Sequence, residues 1–308
     1  MTPLHWRYLP HLLLMTLLFG LTFVATKVAL QQLGVFTVVT GRYGIALLLL
    51  LTILWKKREW LIIPRQDWGR FLLLTFIEPV AYFILETLGI QWTSPTNVAL
   101  MIATIPAFAL LFGHFLLHEK ATRWSVLGII LSFIGVYFIV HFQDQSGLAP
   151  RPLLGSLLAL GAAACAGLYN SLARKLSFRH HPMTITFYQT VIATLFFSPL
   201  ALWEVARQPL QSLHWQTVGS VVYLAVGSSV LGYFLLNFAL SHLKAVQVAI
   251  FSNLIPAITL VASFLVFGEI LNTWQLGGSV LVLSGVYLTF SHPPITGISK
   301  ESTLSPPP

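Results

Sequence analysis

Long apolar segments recur along almost the whole chain and are separated by short polar connections. Each is about 20 residues long, which lets a helix cross a bilayer core of roughly 30 Å. The segments lack the strict alternation of polar and apolar positions that is typical of membrane β-barrel strands. We therefore predict ten transmembrane helices, at residues 10–30, 36–54, 68–90, 96–116, 124–140, 153–173, 183–203, 216–240, 245–267 and 274–291.

The composition agrees with a chain that faces lipid. Of its 308 residues, 56% are hydrophobic and only 8% are charged, whereas a soluble domain carries roughly 25% charged residues. The first apolar segment continues to about Leu30, which is longer than an ordinary signal-peptide core, and no clear cleavage site interrupts it. We expect an all-α integral membrane protein whose first segment is a transmembrane helix.

The basic residues are distributed unevenly between the predicted loops. With the amino terminus in the cytoplasm, only Arg151 and Arg207 fall in loops on the opposite side. Thirteen fall on the cytoplasmic side: Arg7, Lys56, Lys57, Arg58, Arg65, Arg70, Lys120, Arg123, Arg174, Lys175, Arg179, Lys244 and Lys300. Because basic residues collect on the cytoplasmic side of membrane proteins, we predict two cytoplasmic termini, with a disordered Pro-rich tail at 292–308. The net charge of +8 then reflects topology and no nucleic-acid partner, and the lack of an Asn-x-Ser/Thr sequon favours a bacterial inner membrane.

A shift of 150 residues aligns the two halves of the chain. The matched pairs include Pro106/Pro256, Glu119/Glu269, Trp124/Trp274, Gly128/Gly278, Gly135/Gly285 and Tyr137/Tyr287. Apolar helices match Leu to Leu easily, but they do not match these residue types at one offset, so we predict a duplication with repeats at 10–140 and 153–291. Five helices per repeat make the second repeat enter the membrane from the opposite side. Such inverted repeats are typical of secondary transporters.

Three sequence features resemble one known family. They are the Gly20–Lys27 stretch of the first helix, the Arg42-Tyr43 pair of the second helix, and the pattern shared by Glu119–Tyr137 and Glu269–Tyr287. Together they resemble the EamA-type branch of the drug/metabolite transporter superfamily, over nearly the whole chain. The resemblance implies a ten-helix transporter with a central cavity formed by helices 1, 3, 4, 6, 8 and 9. It also implies a small organic substrate, such as an amino acid or a related compound.

Four ionisable residues fall inside predicted helices, where each needs a partner or a role because a charge in the bilayer centre costs a few kcal/mol. Lys27, Arg42 and Glu86 are predicted in the outer third of the membrane. Lys27 and Arg42 either reach the headgroups or form structural ion pairs, Arg42 with Glu86, and Glu86 is also a candidate for binding substrate or protons. Glu78 lies near the midplane before Pro79, and burial disfavours its charged form. We predict that Glu78 exchanges a proton during transport; a neutral packing role is the alternative.

Other polar and aromatic residues are candidates for contact with the substrate, and three prolines are candidates for helix hinges. Pro106 and Pro256 lie at matching midpoints of helices 4 and 9 and, with Pro79, are predicted kinks or hinges. Neutral amides bind substrates without burying charge, and aromatic rings supply cavity walls or simple packing. The further substrate candidates are Tyr82, Asn97, Tyr169, Tyr233, Asn237, Gln247 and Asn253.

Several kinds of chemistry are not indicated. There is no Gly-x4-Gly-Lys-Ser/Thr loop for ATP, and His114, His118 and the lone Cys165 do not form a recognisable metal motif. We expect no enzyme activity, metal or cofactor, and predict a secondary transporter, most simply an exporter, that meets a small molecule, lipid and protons. One alternative is an antiporter of phosphorylated metabolites, which needs several cavity cations where only Lys27 and Arg42 are available. The other is a non-transporting membrane scaffold, which would lack a polar-lined cavity.

Overall fold

The computed structural model describes residues 4–55, 63–117, 123–142, 146–177, 179–208, 212–243, 248 and 251–291. Every regular element in these ranges is helical, and seven stretches are by themselves long and apolar enough to cross a membrane. The helices are α1 (Leu4–Ala29), α2 (Val35–Leu54), α3 (Trp68–Thr75), α4 (Tyr82–Trp92), α5 (Pro95–Ile102), α6 (Ile105–Leu117), α7 (Arg123–His141), α8 (Pro152–Ser177), α9 (Pro182–Arg207), α10 (Trp215–Tyr223), α11 (Tyr233–His242), α12 (Ile255–Phe267) and α13 (Thr273–Ser291). The predicted all-α membrane fold is confirmed.

Packing between the helices follows a two-fold relation between the repeats. The contact of α4 with α8 has its counterpart in the contacts of α1 with α10 and α11, and the contact of α6 with α8 has its counterpart in that of α1 with α12. The pairs α2/α9 and α7/α13 each join matching helices of the two repeats. We call α1, α10, α11 and α12 the first bundle, and α3, α4, α5, α6 and α8 the second bundle. Each bundle contains helices from both repeats, as an inverted repeat requires.

We number the ten predicted transmembrane segments as spans 1–10 in chain order. Four of these spans are interrupted at matching places. Spans 3 and 8 each contain a wider, π-helical stretch, at Phe76–Ala81 and Leu224–Gly232, and Glu78 has non-helical backbone angles (φ −145°, ψ 115°) directly before Pro79. Spans 4 and 9 are broken just before α6 and α12, whose second residues are Pro106 and Pro256. The three predicted proline kinks are therefore present, while their role as hinges stays a prediction. Breaks of this kind free backbone groups and are common at functional sites.

Glycines bring α7 and α13 into close contact. A Cβ added to Gly278 would lie 2.6 Å from the carbonyl oxygen of Gly135, and one added to Gly135 would lie 2.5 Å from the carbonyl oxygen of Gly278. Small residues allow such backbone approach between membrane helices. The repeated glycines therefore allow the last helices of the two repeats to pack closely.

We expect Gly278→Ala to lower the unfolding free energy by about 1–3 kcal/mol, because the added methyl group overpacks a backbone contact. The neighbouring Gly277 provides the matched control, since a Cβ there would meet nothing within 4 Å. Gly277→Ala should be neutral or slightly stabilising, because alanine favours helix more than glycine does. Thermal unfolding of the purified variants in detergent measures both effects. Equal unfolding temperatures for the two variants would contradict the packing described.

Candidate functional site

A small cavity lies between the two bundles at the level of the helix breaks. Its lining comes from spans 1, 3, 4, 6, 8 and 9, the six spans that the family resemblance implies. Its polar lining includes Thr22, Glu78, Glu86, Asn170, Ser228 and Tyr233. The cavity volume is about 60 Å³, whereas ligand pockets usually measure roughly 300–1,000 Å³. The cavity is therefore narrower in this structure than an organic ligand requires.

Glu78 is placed in this cavity by the break in span 3. Its side chain is 4% exposed, and its Oε1 atom accepts a hydrogen bond of 2.5 Å from the hydroxyl of Tyr233. Its Oε2 atom is buried without a hydrogen-bond partner among the described residues. The backbone oxygen of Glu78 accepts a hydrogen bond of 3.2 Å from Nε2 of Gln189. A side chain from span 7 thus satisfies the carbonyl group at the break.

A buried polar network extends from Gln189 away from the cavity. Its Nε2 atom also donates to the Tyr169 hydroxyl at 3.1 Å, and that hydroxyl donates to Oδ1 of Asn237 at 2.8 Å. Asn237 in turn donates to Oγ1 of Thr186 at 3.1 Å. Tyr169 and Asn237 do not belong to the cavity lining, so these two predicted contact residues instead hold the groups around Glu78 in place.

Arg42 does not form the predicted ion pair with Glu86. Its Nε atom donates to Oγ of Ser229 at 2.9 Å, and its Nη2 atom donates to Oγ of Ser228 at 2.8 Å. The guanidinium carbon lies 4.4 Å from the centre of the Phe83 ring. Among the described residues no carboxylate oxygen lies within 4.0 Å of Arg42. The physical reason is the π-helical stretch of span 8, which presents two serine hydroxyls to the guanidinium.

Glu86 also lines the cavity, 1% exposed, two helical turns from Glu78 along span 3. One of its oxygens, Oε2, is buried without a hydrogen-bond partner in the described part of the chain. The charge of Arg42 is near enough to attract it electrostatically, although the two groups are not in contact. The cavity lining therefore contains two carboxyl groups, each with one oxygen that has no hydrogen-bond partner among the described residues.

Lys27 neither reaches the headgroups nor pairs with a carboxylate within 4.0 Å among the described residues. Its Nζ atom is within hydrogen-bonding distance of four backbone oxygens: those of Ile90 (2.7 Å), Gln91 (3.3 Å), Thr93 (3.0 Å) and Leu148 (2.6 Å). The last carbonyl groups of a helix have no partner inside the helix and carry its negative dipole end. The ammonium group satisfies that end of α4 and fastens α1 to the second bundle. We call this side of the protein the Lys27 face.

The remaining predicted residues fall into three groups. Tyr82 and Tyr233 line the cavity, and their contact with a substrate stays a prediction. Asn97 and Asn253 lie outside the lining, and Oδ1 of Asn97 accepts from Gln275 at 3.3 Å near the Lys27 face. Gln247 lies outside the described residues. Within the described ranges no three His, Cys, Asp or Glu side chains are placed to hold a metal ion.

Sequence reasoning missed Gln189, Thr186, Ser228 and Asn170. A second offset holds the signal for Gln189: a shift of 147 residues places Gly20 on Gly167 and Arg42 on Gln189. The structure supports this register, because Gly20 packs against the carbonyl oxygen of Ile255 and Gly167 against that of Ile105, a matching pair. Gln189 is therefore the counterpart of Arg42 in the second repeat.

Inverted helical repeats around a polar-lined cavity are typical of secondary transporters. The EamA-like transporter family matches residues 7–141 and 153–291 of this chain. The chain belongs to that family, so the family predicted from the motifs is confirmed. A solved crystal structure that is 15% identical covers 92% of this chain and 98% of its own, with a TM-score of 0.65; at this identity the likeness concerns the fold alone.

Curated relatives are also described as transporters. A Bacillus subtilis protein described as the uncharacterized transporter YcxC is 28% identical and covers 89% of each chain. A Salmonella typhimurium protein described as a probable amino-acid metabolite efflux pump is 28% identical over 65% of this chain and 69% of its own length. An Escherichia coli protein with the same description is 25% identical over 90% of this chain and 92% of its own. The expectation of a transporter rather than an enzyme is confirmed.

Proposed function

We propose that the protein is a secondary transporter that exports a small organic metabolite, such as an amino acid or a related compound, by alternating access. The observation that carries the proposal is the narrow, polar-lined cavity between two inversely related bundles, with two carboxyl groups in its wall. The descriptions of the Salmonella and Escherichia relatives as amino-acid metabolite efflux pumps support the substrate class and the direction. The two bundles rock against each other and open the cavity to one face at a time.

We further propose that the protein lies in a bacterial inner membrane with both termini in the cytoplasm. The bias of thirteen basic residues against two supports this orientation. The Lys27 face is then the outer face, and the cavity is sealed there by the contacts of Lys27 with α4 and its following loop. In this arrangement the Lys27 contacts must break before the substrate is released to the outside.

Protons are the coupling ion in this proposal, and Glu78 is their carrier. Glu78 lines the cavity, and its Oε2 atom has no hydrogen-bond partner among the described residues, while Tyr233 donates a hydrogen bond to its Oε1 atom. A carboxyl group in this setting accepts a proton when the cavity is open to one side and releases it when the cavity is open to the other. The sequence has no ATP-binding loop to supply another source of energy.

The competing idea of an antiporter for phosphorylated metabolites has no support at the cavity. Phosphate recognition needs Lys or Arg side chains that face the ligand. Among the described residues no Lys or Arg lines the cavity, because Lys27 is held by carbonyl groups and Arg42 by serines. The polar lining likewise gives no support to a scaffold without transport.

We expect Glu78→Gln to abolish gradient-driven accumulation, so that the concentration ratio across proteoliposomes falls to about 1, because glutamine carries no exchangeable proton. Substrate exchange without a gradient should continue when the substrate is supplied at saturating concentration, since glutamine keeps the size and polarity of the site. The measurement uses a labelled substrate taken from a screen of amino acids and their derivatives. The concentration ratio is compared with that of a control variant that carries the same Glu→Gln substitution at another site.

Glu204→Gln is that control, because Glu204 accepts hydrogen bonds from the backbone and hydroxyl of Thr37 and neither residue lines the cavity. It should accumulate substrate like the parent protein. Accumulation by Glu78→Gln equal to that of the parent would show that Glu78 is a packing residue and that the proton route is wrong.

A further inference from the structure

The ionisable groups of the cavity lining are acidic, and this determines which charge a ligand can carry. Both carboxyl groups of the lining, Glu78 and Glu86, are more than nine-tenths buried and keep one oxygen free of described protein partners. The two nearby cations are engaged elsewhere, Arg42 with two serine hydroxyls and Lys27 with backbone oxygens. A ligand in the cavity therefore meets anionic or neutral carboxyl groups and no free cation among the described residues.

The other walls suit the same kind of ligand. Aromatic rings of Phe19, Phe23, Tyr82, Phe83 and Tyr233 line the cavity. The faces of aromatic rings attract ammonium groups and also pack against apolar bodies. A ligand carboxylate, by contrast, would meet π-electron faces and like-charged groups, which disfavour it.

We infer that the cavity binds organic ammonium ions with an apolar body, and prefers amines that lack a carboxylate over zwitterionic amino acids. This inference rests on the proposed transport function and narrows its substrate class. The ammonium group lies between the carboxyl oxygens of Glu78 and Glu86 in place of their protons, and the apolar body contacts the aromatic walls. Substrate and protons thus exchange at the same two groups.

Matched ligand pairs test the preference. Phenylethylamine, tyramine and isoamylamine differ from phenylalanine, tyrosine and leucine only by the carboxylate. Binding to the purified protein is measured by quenching of its tryptophan fluorescence, and transport by uptake of labelled compound into proteoliposomes. We expect each amine that binds to do so at least tenfold more tightly than its amino acid, since a charge-assisted contact is gained and a repelled carboxylate is absent.

Glu86→Gln adds an internal check. It should weaken amine binding about tenfold or more, while Glu204→Gln leaves it unchanged. Amino acids bound as tightly as their amines would overturn the amine preference and leave the transport proposal standing. Failure of all three amines to bind, or binding that Glu86→Gln does not change, would also overturn the inference.

Discussion

Every polar group inside the bilayer must find its partners within the protein, because lipid supplies none. This constraint explains most of the unusual contacts in the structure. The ammonium group of Lys27 is placed at helix-terminal oxygens, the guanidinium of Arg42 at serine hydroxyls, and the Gln189 amide at a carbonyl group freed by a helix break. Several buried oxygens have no hydrogen-bond partner among the described residues, and the two that belong to carboxyl groups, those of Glu78 and Glu86, are on residues that line the cavity. A buried carboxyl oxygen without a partner is costly, so these two residues are the ones where a ligand or proton would satisfy the protein most.

The two repeats share one architecture but differ in chemistry. The counterpart of Glu78 in the second repeat is Ser229, and that of Arg42 is Gln189. In both repeats a polar side chain of the second helix contacts the broken stretch of the third helix of the other repeat. The first repeat carries the charges and the second repeat carries neutral groups. Both repeats thus have a broken third helix, whereas the carboxyl groups assigned to the proposed proton exchange belong to the first repeat alone.

Much of the fold followed from the sequence, because length and hydropathy determine which segments can span a membrane. The duplication was detectable because Pro, Glu, Trp and Gly recur at one offset. The estimated depth of each ionisable residue in the membrane also identified Glu78 and Glu86, which line the cavity. Depth does not determine the direction of a side chain, however, and Asn97 faces Gln275 near the Lys27 face for that reason.

The Arg42–Glu86 pairing failed for a related reason. The π-helical stretch of span 8 rotates Ser228 and Ser229 toward Arg42, and no periodicity of apolar residues reveals such a stretch. Gln189 was missed because the offset between the repeats changes from 147 to 150 along the chain. A single offset therefore aligned the later helices and concealed the matching positions in the earlier ones.

The central claim is that the two bundles move in opposition around the carboxyl-lined cavity. Spin labels at Gln31 and Arg151 measure the distance between the bundles across the Lys27 face, and labels at His242 and Arg179 measure it across the opposite face; all four positions are exposed. Pulsed electron-spin measurements should give two distance populations on each face. Changes in pH that protonate the cavity carboxyls should lengthen one distance while they shorten the other. A single population on each face at every pH, or a widening of both faces together, would contradict the account.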